Sequence, residues 1–418
     1  MEKLAIYGGK PVRKEPPAIE ADVIEEEEIR AVEKVLRSGI LRRGEVTREY
    51  EKNLAEYFGV KRALAVSNGT VSLQIALAAE DIGPGDEVIT TAWSFIAPAS
   101  APLLQNAIPV FADIDPDYLT IDPEKIEEKV TERTKAIIPV PILGQPVDMG
   151  PILDLAEDKD LVIIEDAAQA HGAKYKNKLV GTHGDIGSFS TVHGKIMTTG
   201  EGGFLLTDDE EIYEKMWSFH NFSRRYGKGQ NNQIHYHAPV TNYRITNVQS
   251  ALAIEQLKKL DKFIAKRREN SEYLTKQIKD IEGIEPPKEA PWGKRVYWWY
   301  TIRINSKMLG ITAKEFAECL DAEGVYHKEY YYACYPLPSH KQPFLVEKKG
   351  LGNTKCPFEC PLYKGKVRYT EESYPNAEKA SKEIFWLCNP HPLMKKEDLD
   401  DLAEAVRKVA TYFYEKNK

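Results

Sequence analysis

The chain has 418 residues, of which 42% are hydrophobic and 29% are charged, and its formal net charge at pH 7 is −7. This length suffices for two packed domains, and the composition is typical of a soluble globular protein. We expect no nucleic-acid partner, because no block of lysine and arginine is interleaved with aromatic residues.

Targeting and redox signals indicate a cytoplasmic protein without a membrane partner. No apolar run is long enough to span a bilayer, and the opening MEKLAIYGGK lacks the apolar stretch of a signal peptide. Five cysteines lie in the last quarter of the chain. Their odd number favours reduced thiols over a disulfide framework.

The first half of the chain alternates helical and strand patterns. EEEEIRAVEKVLRSG predicts a helix that begins with acidic residues and ends at Gly39. Strands are predicted at RALAVS, DEVITTA, IPVFADI, TKAIIPVPI and DLVIIED, with helices at TVSLQIALAAE, APASAPLLQ and MGPILDLAEDK between them. Near-continuous apolar strands alternating with helices indicate a mostly parallel sheet covered on both faces.

The second half begins with one long helical pattern, VQSALAIEQLKKLDKFIAKRRENSEYLTKQIKDI. A strand (RVYWWYTIRI), a helix (TAKEFAECLDAEG) and a closing helix (DLDDLAEAVRKVATYFYEK) follow, with an irregular loop expected over 328–378. The predicted division is an N-terminal arm and helix at 1–45, a large α/β domain at 46–245, a linking helix at 246–284 and a small α+β domain at 285–418.

The junction SNGT follows the first predicted strand and opens a helix. Free N–H groups and the helix dipole make such a junction an anion site, where Gly69 allows close approach and Thr70 adds a hydroxyl donor. A plain N-cap is the alternative, since Ser, Asn and Thr are preferred at that position.

Asp166 ends an apolar strand in LVIIEDAAQAHG, so it projects from the carboxyl edge of the predicted sheet, where ligands bind. A carboxylate there can pair with a protonated ring nitrogen, and a helix N-cap is the competing role. Gln169, one turn further on, is either a hydrogen-bond donor to a ligand or a surface amide.

Lys195 lies between two short apolar strand patterns in GSFSTVHGKIMTTGEGGFLLTD. Most lysines are exposed, but a buried amine is a better nucleophile and is suited to Schiff-base chemistry. Ser190, at the end of the first strand, is placed to contact a phosphate, and Gly200, Gly202 and Gly203 supply backbone freedom for a turn. A phosphate-binding loop of the Walker type is excluded, because the lysine precedes the glycines.

An anion-binding helix start, a strand-end aspartate and a buried lysine, in that order within one α/β domain, predict an enzyme that uses pyridoxal 5'-phosphate (PLP). This cofactor needs a protonated ring nitrogen to act as an electron sink. Phe95 in AWSFIAP is the candidate to stack on the cofactor ring. Trp93 is the competing candidate for this stacking role. The alternative for such an aromatic side chain is that it packs in the hydrophobic core.

Four motifs resemble the DegT/DnrJ/EryC1/StrS family: KIMTTGEGG with Ser190 ahead of it, EDAAQAHGA, SNGT and TNYRITNVQSALAIEQLKKLD. The resemblance extends from IYGGKPVR to the final helix. It implies a fold-type I enzyme, similar to aspartate aminotransferase, that aminates keto sugars and related cyclic ketones.

The resemblance also implies roles for individual side chains. Lys195 matches the lysine that forms the Schiff base with PLP, and Asp166 matches the partner of the pyridine nitrogen. Gln169 lies beside the phenolic oxygen, and Phe95 matches the stacking aromatic residue.

Contacts with the cofactor phosphate are implied for a second group of residues. Ser190, Gly69 and Thr70 match contacts within one subunit, and Asn242 matches an asparagine that reaches the phosphate from the neighbouring subunit. The resemblance therefore implies a homodimer with shared active sites.

The implied reaction moves an amino group from L-glutamine or L-glutamate to a ring ketone, with pyridoxamine 5'-phosphate serving in the second half. The lysine segment and SYPNAEKASKEIFWLCNPHPLM are most similar to the cyclitol branch, the glutamine:scyllo-inosose aminotransferases. The lysine segment also resembles 3-amino-5-hydroxybenzoate synthase. A 3- or 4-keto sugar nucleotide is the alternative acceptor, whose phosphate Arg224 or Arg225 would hold.

Two positions depart from the pattern of these relatives. His193 stands where a glutamine or asparagine is expected, close to the reactive lysine. The loop with Cys356 and Cys360 departs from the sugar-nucleotide branch.

Three other functions remain open at this stage. A related pyridoxamine-dependent sugar dehydratase carries histidine in place of the lysine, so Lys195 argues against it. A non-catalytic regulatory protein on the same fold would bind no cofactor. A metal protein would use His235 and His237 of IHYH with the CPFEC cysteines, but no matching second pair is visible.

Overall fold

The computed structural model describes residues 2–17, 22–224, 240–350, 352 and 354–418. Arg225, His235 and His237, which the sequence singles out, lie outside these residues.

The described residues form strands and helices in the following order along the chain. The strands are β1 (Arg62–Val66), β2 (Glu87–Thr91), β3 (Ile108–Ala112), β4 (Thr134–Ile138), β5 (Val162–Asp166), β6 (Lys174–Tyr175), β7 (Lys178–Leu179), β8 (Ile186–Ser190), β9 (Gly203–Thr207), β10 (Ile284–Glu285), β11 (Gly293–Lys294), β12 (Tyr300–Ile304) and β13 (Ile384–Cys388). The helices are α1 (Glu26–Ser38), α2 (Glu45–Phe58), α3 (Gly69–Ala79), α4 (Ala97–Leu104), α5 (Pro123–Glu127), α6 (Met149–Lys159), α7 (Glu210–His220), α8 (Asn247–Ile278), α9 (Ser306–Leu309), α10 (Ala313–Ala322), α11 (Pro343–Val346), α12 (Pro375–Glu383) and α13 (Lys396–Asn417).

The central sheet has the strand order β1-β9-β8-β5-β4-β2-β3 in the described part of the chain. Its strands run parallel except β9, which is antiparallel to both β1 and β8. The register aligns Val66, Gly203 and Ser190 across these three strands. Consequently the carboxyl ends of β1 and β8 meet at one edge of the sheet, on either side of the start of β9.

Helices cover both faces of this sheet, as the strand pattern predicts. The alternation along β9 shows why: Phe204 packs with Phe58 of α2 on one face, whereas Leu205 packs with Leu73 of α3 on the other. Strands that are apolar on both sides can be stable only between two layers of helices. The fold is therefore the α/β architecture of fold-type I enzymes.

The remaining predicted elements agree with the structure, with one correction. Helix α1 ends where expected, with Gly39 in the left-handed region at φ 68°, and α8 begins with a capping box of Thr246 and Gln249. The strand predicted from RVYWWYTIRI was placed too early, because β12 begins only at Tyr300. Tyr297 has a φ of 51°, which breaks the extended run before that point.

The C-terminal part builds a separate antiparallel sheet in the order β10-β12-β13. Within 328–378 the described residues form only short helical turns before α12, so the expectation of an irregular loop holds there. All five cysteines are free thiols. Among the residues described, no helix combines the length and the apolar character that crossing a membrane requires.

Gly187 in β8 offers a test of how tightly this sheet is packed. A Cβ at Gly187 would lie 2.0 Å from the carbonyl oxygen of Gly181, whereas one at Gly83 would meet nothing closer than 3.5 Å. We expect Gly187→Ala to lower the free energy of unfolding by about 3 kcal/mol, because backbone must move, and Gly83→Ala to change it by less than about 1 kcal/mol. Denaturant unfolding of both variants checks this, and equal effects would contradict it.

Candidate active site

The turn between β1 and α3 packs against the end of β8. Asn68 is the N-cap of α3, and its side chain accepts a hydrogen bond from the backbone N–H of Val71 at 2.9 Å. The capping interpretation therefore holds for Asn68, while Gly69 and Thr70 form the first turn, whose N–H groups have no intrahelical partners. A Cβ at Gly69 would lie 2.6 Å from Cβ of Ser190. The helix start and the Ser190 hydroxyl thus form one small cradle.

The glycines after Lys195 act in two different ways. Gly200 and Gly202 have φ values of 77° and 156°, so they provide the backbone freedom that the sequence predicts. Gly203 instead lies within β9, where a Cβ would come within 2.6 Å of the Phe189 carbonyl oxygen and 2.8 Å of the Asn68 carbonyl carbon. Its missing side chain is what lets the β1–α3 turn approach the end of β8.

Asp166 lies buried at the end of β5, at the carboxyl edge that the sequence predicts. The N-cap alternative is wrong, because turns follow Asp166 rather than a helix, and its carboxylate accepts a hydrogen bond from the Ala168 N–H at 3.2 Å. Burial raises the pKa of Asp166 to about 6, and the nearby charge of Lys195 acts in the opposite direction. This carboxylate is held in a place where a positively charged partner would stabilise it.

Gln169 is also buried, so the surface-amide alternative is wrong. Its Oε1 accepts from the Leu143 N–H at 2.8 Å, and its Nε2 donates to the Tyr335 hydroxyl at 3.2 Å. Trp93 is fully buried and donates through Nε1 to the Tyr335 carbonyl oxygen, which makes it a core residue. Phe95 is 56% exposed and is therefore the aromatic side chain accessible to a ligand.

Lys195 is half-buried, and the turn that carries it is held from two sides. Its Nζ lies 3.6 Å from the centre of the Trp298 ring, and Trp298 Nε1 donates to the Gly194 carbonyl oxygen at 2.8 Å. On the other side, Asp22 accepts from the Gly194 N–H at 3.3 Å and bonds His193 Nδ1. The His193 side chain is thus directed to Asp22 and is more than half exposed.

Asn242 is exposed, and its Oδ1 accepts from the Arg244 N–H at 3.0 Å. Its contact with a neighbouring subunit stays a prediction. Cys356 and Cys360 lie close enough for their side chains to interact. Across the described ranges, no group of three His, Cys, Asp or Glu side chains is arranged to hold a metal ion.

Sequence reasoning missed Trp298, Tyr335 and Asp22 as members of this site. Each is more than 100 residues from the group that it contacts, so no local spacing could reveal it. The only signal was the aromatic content of the segment around Tyr335.

The fold together with comparison with known proteins defines a fold-type I aminotransferase. The model of the DegT/DnrJ/EryC1/StrS aminotransferase family matches residues 22–359. The chain belongs to this family.

Two curated relatives and one solved structure illustrate the range of similar proteins. GDP-perosamine synthase of Caulobacter vibrioides is 38% identical over 295 residues, covering 70% of this chain and 78% of the relative. The putative L-glutamine:3-amino-2,3-dideoxy-scyllo-inosose aminotransferase of Streptoalloteichus tenebrarius is 34% identical over 418 residues, covering 97% of each chain. The crystal structure of 3-amino-5-hydroxybenzoic acid synthase superposes with a TM-score of 0.79 at 26% identity, covering 95% of this chain and 99% of that chain.

The buried Asp166 should make the cofactor-free protein less stable as the pH rises. Its folded pKa of about 6 exceeds the ordinary value of 3.8, so its contribution to stability is present below 3.8 and is lost as the pH rises through 6. The expected loss is about 3 kcal/mol. Asp166→Asn removes this loss, so its stability relative to the parent should increase between about pH 4 and pH 6 and then stay constant up to pH 8.

Denaturant unfolding of the cofactor-free proteins at several pH values checks this expectation. Asp158→Asn, at an exposed aspartate of α6, is the matched control and should follow the parent. A constant difference between Asp166→Asn and the parent across this range would contradict the assignment.

Proposed function

We propose that the protein is a PLP-dependent aminotransferase that moves an amino group from L-glutamine or L-glutamate to the ring ketone of a keto-cyclitol or a keto sugar. The observation that carries this proposal is the assembly of Lys195, Asp166 and the Gly69–Ser190 cradle at one edge of the sheet. Family membership supports the reaction type, and the relatives include proteins named for both acceptor classes.

The residues present fit PLP. The α3 N-terminus with Ser190 offers N–H and hydroxyl donors to a phosphate, in a cradle that a Cβ at position 69 would fill. Asp166 is a buried carboxylate that would gain a charged partner in the pyridine nitrogen. The Gln169 amide suits a hydrogen bond to the phenolic oxygen of the cofactor. The exposed ring of Phe95 suits stacking on the face of the cofactor ring.

When bound, PLP supplies an electron sink for charge that develops at the substrate carbon. Lys195 Nζ would take the proton from the α-carbon of the amino donor and, in the second half of the reaction, deliver a proton to the acceptor carbon that receives the amino group. The Trp298 ring stabilises Nζ in its protonated form between these two transfers. The Asp166 carboxylate would keep the pyridine nitrogen of the cofactor protonated, and the burial of Asp166 strengthens that pairing.

The proposed assembly is a homodimer in which each subunit completes the site of the other. The exposed side chain of Asn242 supports this, since an amide on the surface can contact a second subunit. Size measurement in solution, together with the cofactor affinity of Asn242→Ala, would test the arrangement.

Replacement of Lys195 tests the proposed function directly. Lys195→Ala should lose the long-wavelength absorbance of the PLP-bound protein and reduce amino transfer by several orders of magnitude. Borohydride treatment of the parent should add the mass of the cofactor to the peptide that contains Lys195. Lys215→Ala, at a surface lysine of α7, should behave like the parent. Retention of absorbance or turnover in Lys195→Ala would refute the proposal.

The cradle between α3 and β8 predicts that a substitution at Gly69 weakens the binding of PLP through its phosphate group. Gly69→Ala places a methyl group against Ser190, so we expect its Kd for PLP to rise by about 10-fold to 100-fold, which corresponds to about 1.4–2.8 kcal/mol. The Kd for pyridoxal, which has no phosphate, should change little. Gly83→Ala is the control for a glycine elsewhere, and equal losses for PLP and pyridoxal would contradict the cradle.

A further inference from the structure

The segment CPFEC carries two cysteines, Cys356 and Cys360, that have no role in the proposed reaction. Its backbone forms a single tight turn. The Glu359 N–H donates to the Lys355 carbonyl oxygen at 3.0 Å, and the N–H of Cys360 donates to the carbonyl oxygen of residue 357 at 3.2 Å. Residues four apart in a helical turn lie on the same side of the backbone, with Cβ atoms about 5–6 Å apart. The turn therefore directs both thiols to the same place.

The side chains of Cys356 and Cys360 contact each other and can be reached from solvent. Desolvation raises the pKa of the Cys356 thiol, and Cys360 acts in the same direction through its charge and a side-chain hydrogen bond. Both residues are partly exposed, so a small oxidant or reductant can approach them. Contact between two thiols allows a disulfide to form, and access from solvent allows it to be reduced again.

The other three cysteines are protected from such chemistry. Cys319, Cys334 and Cys388 are buried in the hydrophobic core. Burial raises the pKa of each of these thiols to about 12. Because the thiolate is the form that attacks an oxidant, a buried thiol with a high pKa is inert. Oxidation should therefore be confined to the pair in the CPFEC turn.

Metal binding explains the pair less well. A structural zinc site has four ligands, which are mostly cysteine and histidine side chains. Within the part of the chain that the structure describes, no third His, Cys, Asp or Glu side chain joins the two thiols in a metal-binding group. The described surroundings of the pair therefore favour a bond between the two sulfur atoms.

The CPFEC turn is anchored at the amino-terminal ends of β2 and β3. The Tyr363 hydroxyl donates to Oε1 of Glu87, at the start of β2, at 2.8 Å. The Tyr369 hydroxyl donates to the Pro109 carbonyl oxygen, near the start of β3, at 2.7 Å. Phe358, inside the turn, packs edge-on against the Tyr369 ring with the ring centres 6.2 Å apart. The candidate active site lies at the opposite, carboxyl edge of the sheet, so the turn is separate from it.

We propose that Cys356 and Cys360 form a reversible disulfide when the protein is exposed to a peroxide. One thiolate sulfur attacks a peroxide oxygen, the O–O bond breaks, and the sulfur becomes a sulfenic acid while hydroxide leaves. The second thiol attacks that sulfur, the S–S bond forms, and the sulfenic oxygen leaves as water. The two thiols together lose two electrons and two protons, and hydrogen peroxide is reduced to two molecules of water. A dithiol reductant breaks the bond by exchange and restores both thiols.

The proposal is tested on the full-length protein, which is reduced, freed of reductant, exposed to hydrogen peroxide and then denatured for thiol titration. The number of free thiols should fall from five to three, because only the pair reacts. The tryptic peptide that contains residues 356–364 should lose the mass of two hydrogen atoms. Dithiothreitol should restore all five thiols. An unchanged thiol number, or a peptide that gains oxygen instead, would overturn the proposal.

Single substitutions identify the two partners. Cys356→Ser and Cys360→Ser should each abolish the peptide that has lost two hydrogen atoms. Cys319→Ala, at a buried cysteine of α10, is the matched control and should still form that peptide. The same mass loss in either serine variant would contradict the pairing. Amino transfer by both serine variants should match that of the parent, so Lys195→Ala decides the proposed function separately from these results.

Discussion

The candidate site depends on one close backbone approach, at the start of β9. Gly203 has no side chain, so the Asn68 carbonyl can lie against it on one side and the Phe189 carbonyl on the other. The antiparallel insertion of β9 between two parallel strands is what brings the carboxyl ends of β1 and β8 to the same place. The cradle between Gly69 and Ser190 and the turn that carries Lys195 both follow from that junction.

Asp166 carries an electrostatic cost that the fold alone does not offset, because its carboxylate lies in a desolvated position. Such residues cluster at binding sites, where a stabilising partner arrives with the ligand. The position of Asp166 therefore favours a positively charged ligand group.

Much of the large domain could be predicted from the sequence, because its strands are apolar runs and its helices carry clear end signals. The position of Asp166 at a strand end and of Lys195 between strands followed from the same patterns. Whether Asp166 caps a helix could not be predicted from these patterns, because the answer depends on the turns that follow β5. The contacts of Trp298 and Tyr335 with this site could not be predicted, because tertiary packing joins segments that are distant along the chain.

The single hydrogen bond from Trp298 to the Gly194 carbonyl also joins two parts of the molecule mechanically. Trp298 stands just before β12, so its ring belongs to the chain that leads into the three-stranded sheet, whereas Lys195 follows β8 of the central one. A displacement of the smaller sheet would therefore move the Trp298 ring relative to the Lys195 amine or displace the Gly194 peptide. The surroundings of the Lys195 amine therefore depend on where the chain that leads into the smaller sheet is held.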